Sequence, residues 1–407
     1  DMGYARLIEP RDSRWGDPWS ADVVVDGLLG IGVRGGLREP ILTLARAFSE
    51  HQGLRVSIDT PTGVDPDTGN IAPGAVVADV TVTLHKAKRG LLAERARLHT
   101  GELLVADIGL PGKAEEVAGP GDYVARIPPR PRDAHKGVGG KVLIVGGSER
   151  YIGAPMLAAL AAARAGADLV YLASPSRAAE EAAARSSTVL PIRLGGGHLS
   201  RGHVDEVLRA AERVHSIVVG PGLGDYGEAL EAASILIERL KSKPIVVDAD
   251  GLKALDPGIC REGCGALVIT PHRGEAARLL GSPGEPRAMA EELARTYRAT
   301  VLLKGPTDYI CGPSRCRVNR SGTPNMSVGG TGDVLSGVIA AFLARRTSLG
   351  RSLDPLNTAA AAAYITGRTG ELAVEAVGEN ISALDVIEKI NNAIQEARGM
   401  AAGHGQR

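Results

Sequence analysis

The sequence has few aromatic residues: of its 407 residues only two are phenylalanine and two are tryptophan, and aromatics make up 3% of the chain. So few rings argue against a stacking surface for nucleic acid. The chain also lacks an excess of either charge, because 47 lysines and arginines balance 47 aspartates and glutamates. Recruitment of nucleic acid or of an acidic membrane surface by net charge is therefore not expected.

Long apolar segments are missing as well. No run approaches the roughly 18–20 residues that a membrane-spanning helix requires, and the first residues, DMGYARLIEP, lack the pattern of a signal peptide. We therefore expect a soluble cytoplasmic protein with no membrane partner and no nucleic-acid partner.

Cysteine is scarce too, with Cys260, Cys264, Cys311 and Cys316 as the complete set. Neither spacing is the CxxC of a zinc site, and no histidine stands at finger spacing beside them. The sequence favours buried free thiols. Local disulfides are the alternative, and they would be reasonable in a hyperthermophile.

Glycine is abundant, with 53 residues, and short β-branched runs alternate with helical segments. Continuous apolar runs are typical of parallel strands that are covered on both faces. The sequence therefore predicts two α/β domains. The predicted strands are 22–29, 55–59, 79–84 and 102–108 in the first half, and 141–146, 168–173, 216–220, 244–248, 266–270 and 300–304 in the second. The predicted helices include 154–167, 227–241 and 332–344.

A proline-rich stretch separates the two halves. The sequence PGDYVARIPPRPRDAHKG contains four prolines and several charges, and proline favours an extended connection. We predict a first domain over 1–118, a linker over 119–136 and a second domain over 137–398.

Polar and glycine-rich segments follow the predicted strands of the second half. They are GGSERYIGAP (146–155), GPGLG (220–224), DADGL (248–252), TPHRGE (270–275) and KGPTD (304–308), and GGTGD (329–333) precedes a helix. Ligands of parallel α/β sheets bind at the carboxyl ends of the strands. The free N–H groups at a helix start suit a phosphate. The pattern predicts a nucleotide site.

These segments, in this order over about 130–397, resemble the NAD(P)H-hydrate dehydratase family of the ribokinase-like superfamily. The resemblance implies repair of the hydrated nicotinamide ring of NADHX and NADPHX. ADP, or ATP in some members, phosphorylates the ring hydroxyl, and elimination of phosphate then returns NAD(P)H, with AMP and phosphate released.

The resemblance also implies roles for single residues. Asp333 would be the general base that takes the hydroxyl proton, although a plain helix N-cap is its alternative role. Asp248 and Asp250 are candidates for Mg²⁺, or for a structural loop role. The hydrate would contact Ala154, Gly222, His272 and Asp333, and the nucleotide would contact Lys304, Gly305, Pro306, Thr307, Asp308 and Gly332.

The shorter half resembles the NAD(P)HX epimerase domain, through VVVDGLLGIGVRGG (23–36), SIDTPTGVDPDTG (57–69), ADVTVTLHKAKRGLL (78–92) and GELLVADIGLP (101–111). Asp26 and Thr62, the latter standing where the family usually has serine, would hold K⁺. Asp59 would contact the substrate, together with a loop made of Gly30, Ile31, Gly32, Val33, Arg34, Gly35 and Gly36.

The opening residues depart from that family. Its phosphate-binding loop should precede these elements, and the chain begins at DMGYARLIEP instead. The expectation is therefore a partial epimerase domain that is defective, either truncated or retained for structure.

Two other functions remain open from the sequence. A small-molecule kinase of the same superfamily, acting on a vitamin or a sugar, would share GGTGD, and a non-catalytic nucleotide-binding scaffold would explain an impaired first half. The resemblance favours the dehydratase, and it implies a homo-oligomer, a tetramer or larger.

Overall fold

A computed structural model describes residues 21–31, 35–260, 264 and 266–403. The chain separates into two compact units, Asp1–Ala114 and Glu115–Arg407. No helix in the described ranges combines the length and the hydropathy that a membrane span requires.

The first unit is built on a four-stranded parallel sheet with the strand order β1-β2-β3-β4. The strands are β1 (Val23–Asp26), β2 (Leu54–Ile58), β3 (Val80–Leu84) and β4 (Glu102–Ala106), and the helices are α1 (Ile41–Glu50) and α2 (Arg97–Thr100). Ala45 and Phe48 of α1 are buried beside Val76 in a small core. Because the strands are parallel, the residues that follow β1 and β2 lie at the same edge of the sheet.

The second unit contains a nine-stranded sheet with the order β13-β12-β11-β10-β9-β8-β5-β6-β7. All neighbours from β7 to β11 pair in parallel, whereas β12 and β13 form an antiparallel hairpin at one edge. The strands are β5 (Lys141–Val145), β6 (Leu169–Pro175), β7 (Val189–Leu194), β8 (Ser216–Val219), β9 (Pro244–Val247), β10 (Ala266–Ile269), β11 (Thr300–Leu303), β12 (Asp308–Cys311) and β13 (Cys316–Asn319).

Helices cover both faces of this sheet. They are α3 (Pro120–Arg126), α4 (Gly153–Arg164), α5 (Ser176–Arg185), α6 (Val204–Ala211), α7 (Gly227–Leu240), α8 (Arg273–Leu280), α9 (Pro286–Tyr297), α10 (Thr331–Ser348), α11 (Pro355–Val377) and α12 (Ala383–Gly403). Side chains alternate along a strand, so Val142 and Ile144 enter the core formed with α4, α10, α11 and α12. Leu143 and Val145 enter the opposite core, formed with α6, α7 and α9.

The predicted α/β class is confirmed, and the predicted helices 154–167, 227–241 and 332–344 correspond to α4, α7 and α10. Three strands, β7, β12 and β13, were not predicted. The sequences of β12 (DYIC) and β13 (CRVN) mix charged and apolar residues. That pattern suits an edge hairpin and gives no continuous apolar run to recognise.

The stretch predicted as a linker, 119–136, differs from the structure over its first part. Pro120–Arg126 forms α3, which packs in the second unit with Tyr123 1% exposed. A backbone bridge pairs Val117 with Val318 of β13. The proline-based prediction missed this because Pro120 occupies the first turn of a helix, where the absence of an N–H costs nothing.

The expectation of free thiols was wrong. Cys260 forms a disulfide with Cys264, and Cys311 forms one with Cys316. The second bond joins β12 to β13 at the register pair Cys311↔Cys316. Strand pairing brought these two sulfur atoms together, and the sequence spacing did not show it.

Candidate active site

The GGTGD segment forms the start of α10, as predicted. Gly330 is the residue that caps the helix, with a left-handed backbone (φ 96°). The first intrahelical bond runs from Val334 N to Gly330 O at 3.0 Å, so the N–H groups of residues 331–333 point out of the helix without an intrahelical acceptor. These donors and the positive end of the helix dipole can hold a phosphate.

Asp333 lies in the first turn of α10, and it is not the capping residue. Within the described chain its carboxylate accepts no hydrogen bond, which argues against the alternative role as a plain N-cap. Burial, followed by the negative charge of Asp248, raises the pKa of Asp333 to about 8, although Lys304 opposes the shift. A carboxyl group with such a pKa can take a proton from a hydroxyl near neutral pH.

An ion pair between Lys304 and Asp248 lies beside the start of α10. Lys304 Nζ is 2.8 Å from Asp248 Oδ1, and the Asp248 side chain is only 2% exposed. Burial disfavours the ammonium form of Lys304, but the charge and the hydrogen bond of Asp248 outweigh it and raise the lysine pKa. Lys304 therefore carries a positive charge that is available to an anionic ligand.

The segment that follows Lys304 is held by Asp308. Asp308 Oδ1 accepts a hydrogen bond from Gly305 N at 3.1 Å, and Asp308 Oδ2 accepts one from Asn319 Nδ2 at 2.9 Å. Burial raises the pKa of Asp308 in spite of these bonds. Asp308 therefore fixes the backbone of 304–308 against the β12–β13 hairpin.

A cleft of about 680 Å³ opens between these elements. Seven of the ten residues proposed for the hydrate and the nucleotide line it, and so does Asp248: the seven are His272, Lys304, Gly305, Pro306, Asp308, Gly332 and Asp333. Sequence reasoning missed the opposite wall, which is built from the segment 321–328 and from α11. The wall residues include Ser321, Gly322, Thr323, Pro324, Met326, Ser327, Val328, Ala363, Thr366 and Gly367. The small residues of α11 were a possible signal, but in sequence they look like ordinary helix packing.

His272 caps α8 through its ring. Its Nδ1 atom accepts hydrogen bonds from Gly274 N at 3.0 Å and from Glu275 N at 3.2 Å. Glu275 closes the capping box by accepting from His272 N at 2.8 Å. Glu275 is also one of the carboxylates that raise the pKa of Asp333, and the sequence had not singled it out. Its position three residues after His272 is the signal that could have found it.

Ala154, Gly222 and Thr307 do not line this cleft. Ala154 lies in the first turn of α4, after β5, and Gly222 lies in the loop after β8. Gly224 N donates to Asp250 Oδ2 at 2.9 Å, and Asp250 is another carboxylate that raises the pKa of Asp333. The GPGLG loop is thus coupled to the base through Asp250.

In the first unit, Asp26 and Thr62, the two residues predicted to hold K⁺, lie in contact. Thr62 Oγ1 is 2.8 Å from Asp26 Oδ1 and 3.1 Å from Leu29 O. The single hydroxyl proton of Thr62 cannot be donated to both acceptors at once. Thr62 Oγ1, Asp26 Oδ1 and Leu29 O therefore form a cluster of three oxygen atoms that a cation could bind. Asp26 is 1% exposed, and a set of buried oxygen ligands suits K⁺, which binds oxygen.

Asp59 follows β2 with a left-handed backbone (φ 64°). Its Oδ1 atom accepts from Leu84 N at 2.9 Å and pairs with the ammonium of Lys88. Burial alone would raise the pKa of Asp59, but Lys88 and the Leu84 N–H lower it overall. Lys88 was not predicted. Gly30, Ile31, Gly35 and Gly36 belong to a loop after β1, whereas Gly32, Val33 and Arg34 lie outside the described residues, as does the opening DMGYARLIEP.

Comparison with known proteins adds independent findings. The family model for NAD(P)H-hydrate dehydratase matches residues 142–392, and the model for the YjeF-related protein N-terminus matches residues 6–90. The chain is 46% identical over 381 residues to the bifunctional NAD(P)H-hydrate repair enzyme Nnr of Pyrobaculum aerophilum, covering 92% of this chain and 74% of that protein. It is 43% identical over 401 residues to the enzyme of the same name from Hyperthermus butylicus, covering 95% and 73%.

Solved structures agree on the fold. An ADP/ATP-dependent NAD(P)H-hydrate dehydratase from Bacillus subtilis, co-crystallized with ATP and Mg²⁺, superimposes with a TM-score of 0.57 at 25% identity, covering 67% of this chain and 95% of that one. A ribokinase-like superfamily protein from Enterococcus faecalis superimposes with a TM-score of 0.60 at 21% identity, covering 69% and 96%.

Proposed function

The chain belongs to the family of bifunctional NAD(P)H-hydrate repair enzymes, and from that premise we propose how its residues carry out the reaction. The second unit dehydrates the S form of NADHX and NADPHX to NAD(P)H, with ADP as the phosphoryl donor. The observation that carries this proposal is the position of Asp333, a carboxylate with a raised pKa in the first turn of α10, beside free N–H donors and the Lys304 ammonium.

Phosphoryl transfer begins when Asp333 takes the proton of the ring hydroxyl. The hydroxyl oxygen then bonds to the terminal phosphorus of ADP, and the bond from that phosphorus to the AMP oxygen breaks. The N–H groups of residues 331–333 and the ammonium of Lys304 stabilise the charge on the transferred group. Elimination then breaks the carbon–oxygen bond of the phosphate ester, a ring carbon loses a proton, and NAD(P)H is restored with phosphate released.

Nucleotide binding is assigned to Lys304, Gly305, Pro306, Thr307, Asp308 and Gly332, and hydrate binding to Ala154, Gly222, His272 and Asp333. The donor occupies the 680 Å³ cleft, whose floor is the Lys304–Asp248 pair. The hydrate approaches from the loops after β5 and β8. In this proposal the donor and the acceptor reach Asp333 from opposite sides.

Magnesium suits the carboxylates beside the base. Asp248 Oδ2 has no hydrogen-bond partner in the described chain, and Asp250 lies close enough to raise the pKa of Asp333. Mg²⁺ prefers hard oxygen ligands, and proteins hold it with one or two carboxylates together with the phosphates of the substrate. When bound, the ion neutralises charge on the donor phosphates.

An absorbance assay tests this function. Purified chain is mixed with S-NADHX and either ADP or ATP, and the rise at 340 nm is followed. Recovery of absorbance with ADP, accompanied by AMP and phosphate, supports the proposal. A stable phosphorylated product from a vitamin or sugar panel would favour the kinase alternative, and nucleotide binding with no turnover of any acceptor would favour the scaffold.

We propose further that the first unit is an epimerase site, with K⁺ held by Asp26 and Thr62 and with the substrate contacting Asp59 and the loop 30–36. Chiral chromatography of R- and S-NADHX tests this with the whole chain. Rapid interconversion of the two forms supports an active epimerase, whereas the absence of interconversion would assign the unit a structural role. Homo-oligomeric assembly and a cytoplasmic location remain predictions, and light scattering tests the first.

A further inference from the structure

Tyr151 presents an exposed aromatic ring from a rigid turn, in a chain with few aromatic residues. The residue is 44% exposed. Ser148 N donates to Tyr151 O at 3.3 Å, and Tyr151 N donates to Ser148 Oγ at 3.2 Å. Ser148 Oγ in turn donates to Gly222 O at 3.0 Å. The backbone of Tyr151 is therefore fixed to the loop after β8 while its side chain stays open to ligands.

Gly222 packs directly against Tyr151. A Cβ atom at residue 222 would lie 2.9 Å from Tyr151 O and 3.1 Å from Tyr151 Cβ, at a left-handed φ of +68°. Any other residue would push the turn away. Tyr151 therefore touches Gly222, one of the residues assigned to the hydrate, and it precedes a second, Ala154, by three residues.

The position along the sheet separates Tyr151 from the donor. Asp248 and Lys304 follow β9 and β11, and the donor cleft extends from them toward the β12–β13 hairpin. Tyr151 follows β5, two strands from β9 in the other direction. Its contact with Gly222 places Tyr151 against the loop after β8, which adjoins β9 on the side away from the donor cleft. An acceptor with its reactive ring at Asp333 would extend its remaining half toward Tyr151.

Arg150 adds a cation to this position. Its guanidinium carbon lies 5.4 Å from the centroid of the Tyr151 ring. A ring next to a guanidinium offers a face for a planar base and a charge for a nearby phosphate. The acceptor dinucleotide contains both groups in its adenylate half.

We propose that Tyr151 is the stacking platform for the adenine base of the hydrated dinucleotide. The inference rests on the proposed dehydratase function and deepens it, because it makes the adenylate half of the acceptor a recognised element. Tyr151 determines how tightly the acceptor binds, and it takes no part in proton or phosphoryl transfer.

The test compares two acceptors in the 340 nm assay: S-NADHX, and the corresponding hydrate of reduced nicotinamide mononucleotide, which lacks the adenylate half. Loss of a base stacked on an aromatic ring weakens binding, so Tyr151→Ala should raise the KM for S-NADHX by about 5- to 100-fold. The kcat should change less than about twofold, because the contact is equal in ground state and transition state.

Three controls make the result specific. The KM of the truncated acceptor should not differ between Tyr151→Ala and the unaltered chain, the KM for ADP should stay constant, and Tyr151→Phe should behave like the unaltered chain. An equal rise in KM for both acceptors would overturn the proposal, since it would show that the ring only supports the turn. An unchanged KM for S-NADHX would also overturn it. Failure of the unaltered chain to dehydrate S-NADHX would instead overturn the proposed function.

Discussion

Lys304 Nζ lies 2.8 Å from Asp248 Oδ1, and the start of α10 packs directly on this ion pair. A Cβ atom at Gly332 would stand 3.1 Å from Lys304 Nζ and 4.0 Å from Asp248 Oδ2. The absence of a side chain at residue 332 therefore lets the N–H donors of the helix and the lysine ammonium face the same point. This contact combines the positive groups that a transferred phosphoryl group needs.

Replacing the base should stop the reaction without unfolding the protein. We expect Asp333→Asn to lower kcat for S-NADHX by about a thousandfold or more, which lies within the 10²–10⁴-fold range of general-base catalysis. ADP affinity, measured by calorimetry, should change little. Turnover at a rate similar to that of the unaltered chain would contradict the assignment.

Stability provides the control for that variant. The folded-state pKa of Asp333 is about 8, against an ordinary value of 3.8. The folded state therefore holds a proton that the unfolded state has released, and stability falls as the pH rises from about 4 to 8. Asparagine removes this cost, so Asp333→Asn should have the higher Tm at pH 8–9, and the difference should shrink toward pH 4. An equal Tm at pH 9 would contradict the raised pKa.

The pH profile of the dehydration reports the same group. Only the carboxylate form of Asp333 can accept the hydroxyl proton, so kcat/KM should rise about tenfold per pH unit and level off near pH 8. The 340 nm assay at constant ionic strength between pH 5 and 9.5 measures this. A plateau that begins near pH 4 would show that Asp333 is not the titrating base.

The neighbouring charges should shift the rising part of this pH profile in opposite directions. Lys304 lowers the pKa of Asp333 and Asp248 raises it. Lys304→Gln should therefore shift the rising part of the profile to higher pH, and it should also weaken ADP binding. Asp248→Asn should shift the rising part to lower pH. Lys241→Gln is the matched control, because Lys241 pairs with Glu238 at the end of α7 and neither residue contributes to the pKa of Asp333. Shifts of the same sign in the Lys304 and Asp248 variants would refute the electrostatic account.

The first unit should depend on the hydroxyl of Thr62. This hydroxyl contacts Asp26 Oδ1 at 2.8 Å and accepts from Leu29 N at 3.0 Å. Thr62→Val leaves buried partners unpaired and should lower the free energy of unfolding of this unit by about 1–3 kcal/mol in a urea titration. Thr62→Ser keeps the hydroxyl and should retain most of the free energy of unfolding. Stabilisation by KCl over choline chloride should appear in the unaltered chain and disappear in Thr62→Val.

The disulfides can be counted directly. Thiol titration of the denatured chain should find none without reductant and four with it, since both pairs are bonded. Replacing Cys311 and Cys316 together by serine should lower stability by about 2 kcal/mol, as loop closure over a short segment predicts. Free thiols in the unreduced chain would restore the original expectation.

Much of the fold was readable from the residues. The β-branched runs in 141–146 and 216–220 predicted strands because a strand buried on both faces has no polar side to alternate with. The edge strands β12 and β13 were missed, since Asp308 and Arg317 break that pattern. The helix of 120–126 was also missed, because proline marks both linkers and helix starts.

The site was readable in part. The sequence placed Asp333 at a helix start and the segment 304–308 after a strand. Glu275, Lys88 and the wall formed by 321–328 with α11 were not found. Lys88 and the wall depend on neighbours that are distant in the chain, and residue type alone gives no sign of such neighbours. Glu275 had a local signal, its position three residues after His272 in a capping box.

The amino-acid sequence by itself determined the alternation of strands and helices, and with it the edge where polar loops gather, because hydrophobic patterning and backbone propensity act over a few residues. Only the tertiary structure decided that Lys304 and Asp248, 56 residues apart, form a pair beneath Gly332, and that burial raises the pKa of Asp333 to about 8. Desolvation and Coulomb interactions depend on distance in space and on burial, and both are set only once the chain has packed.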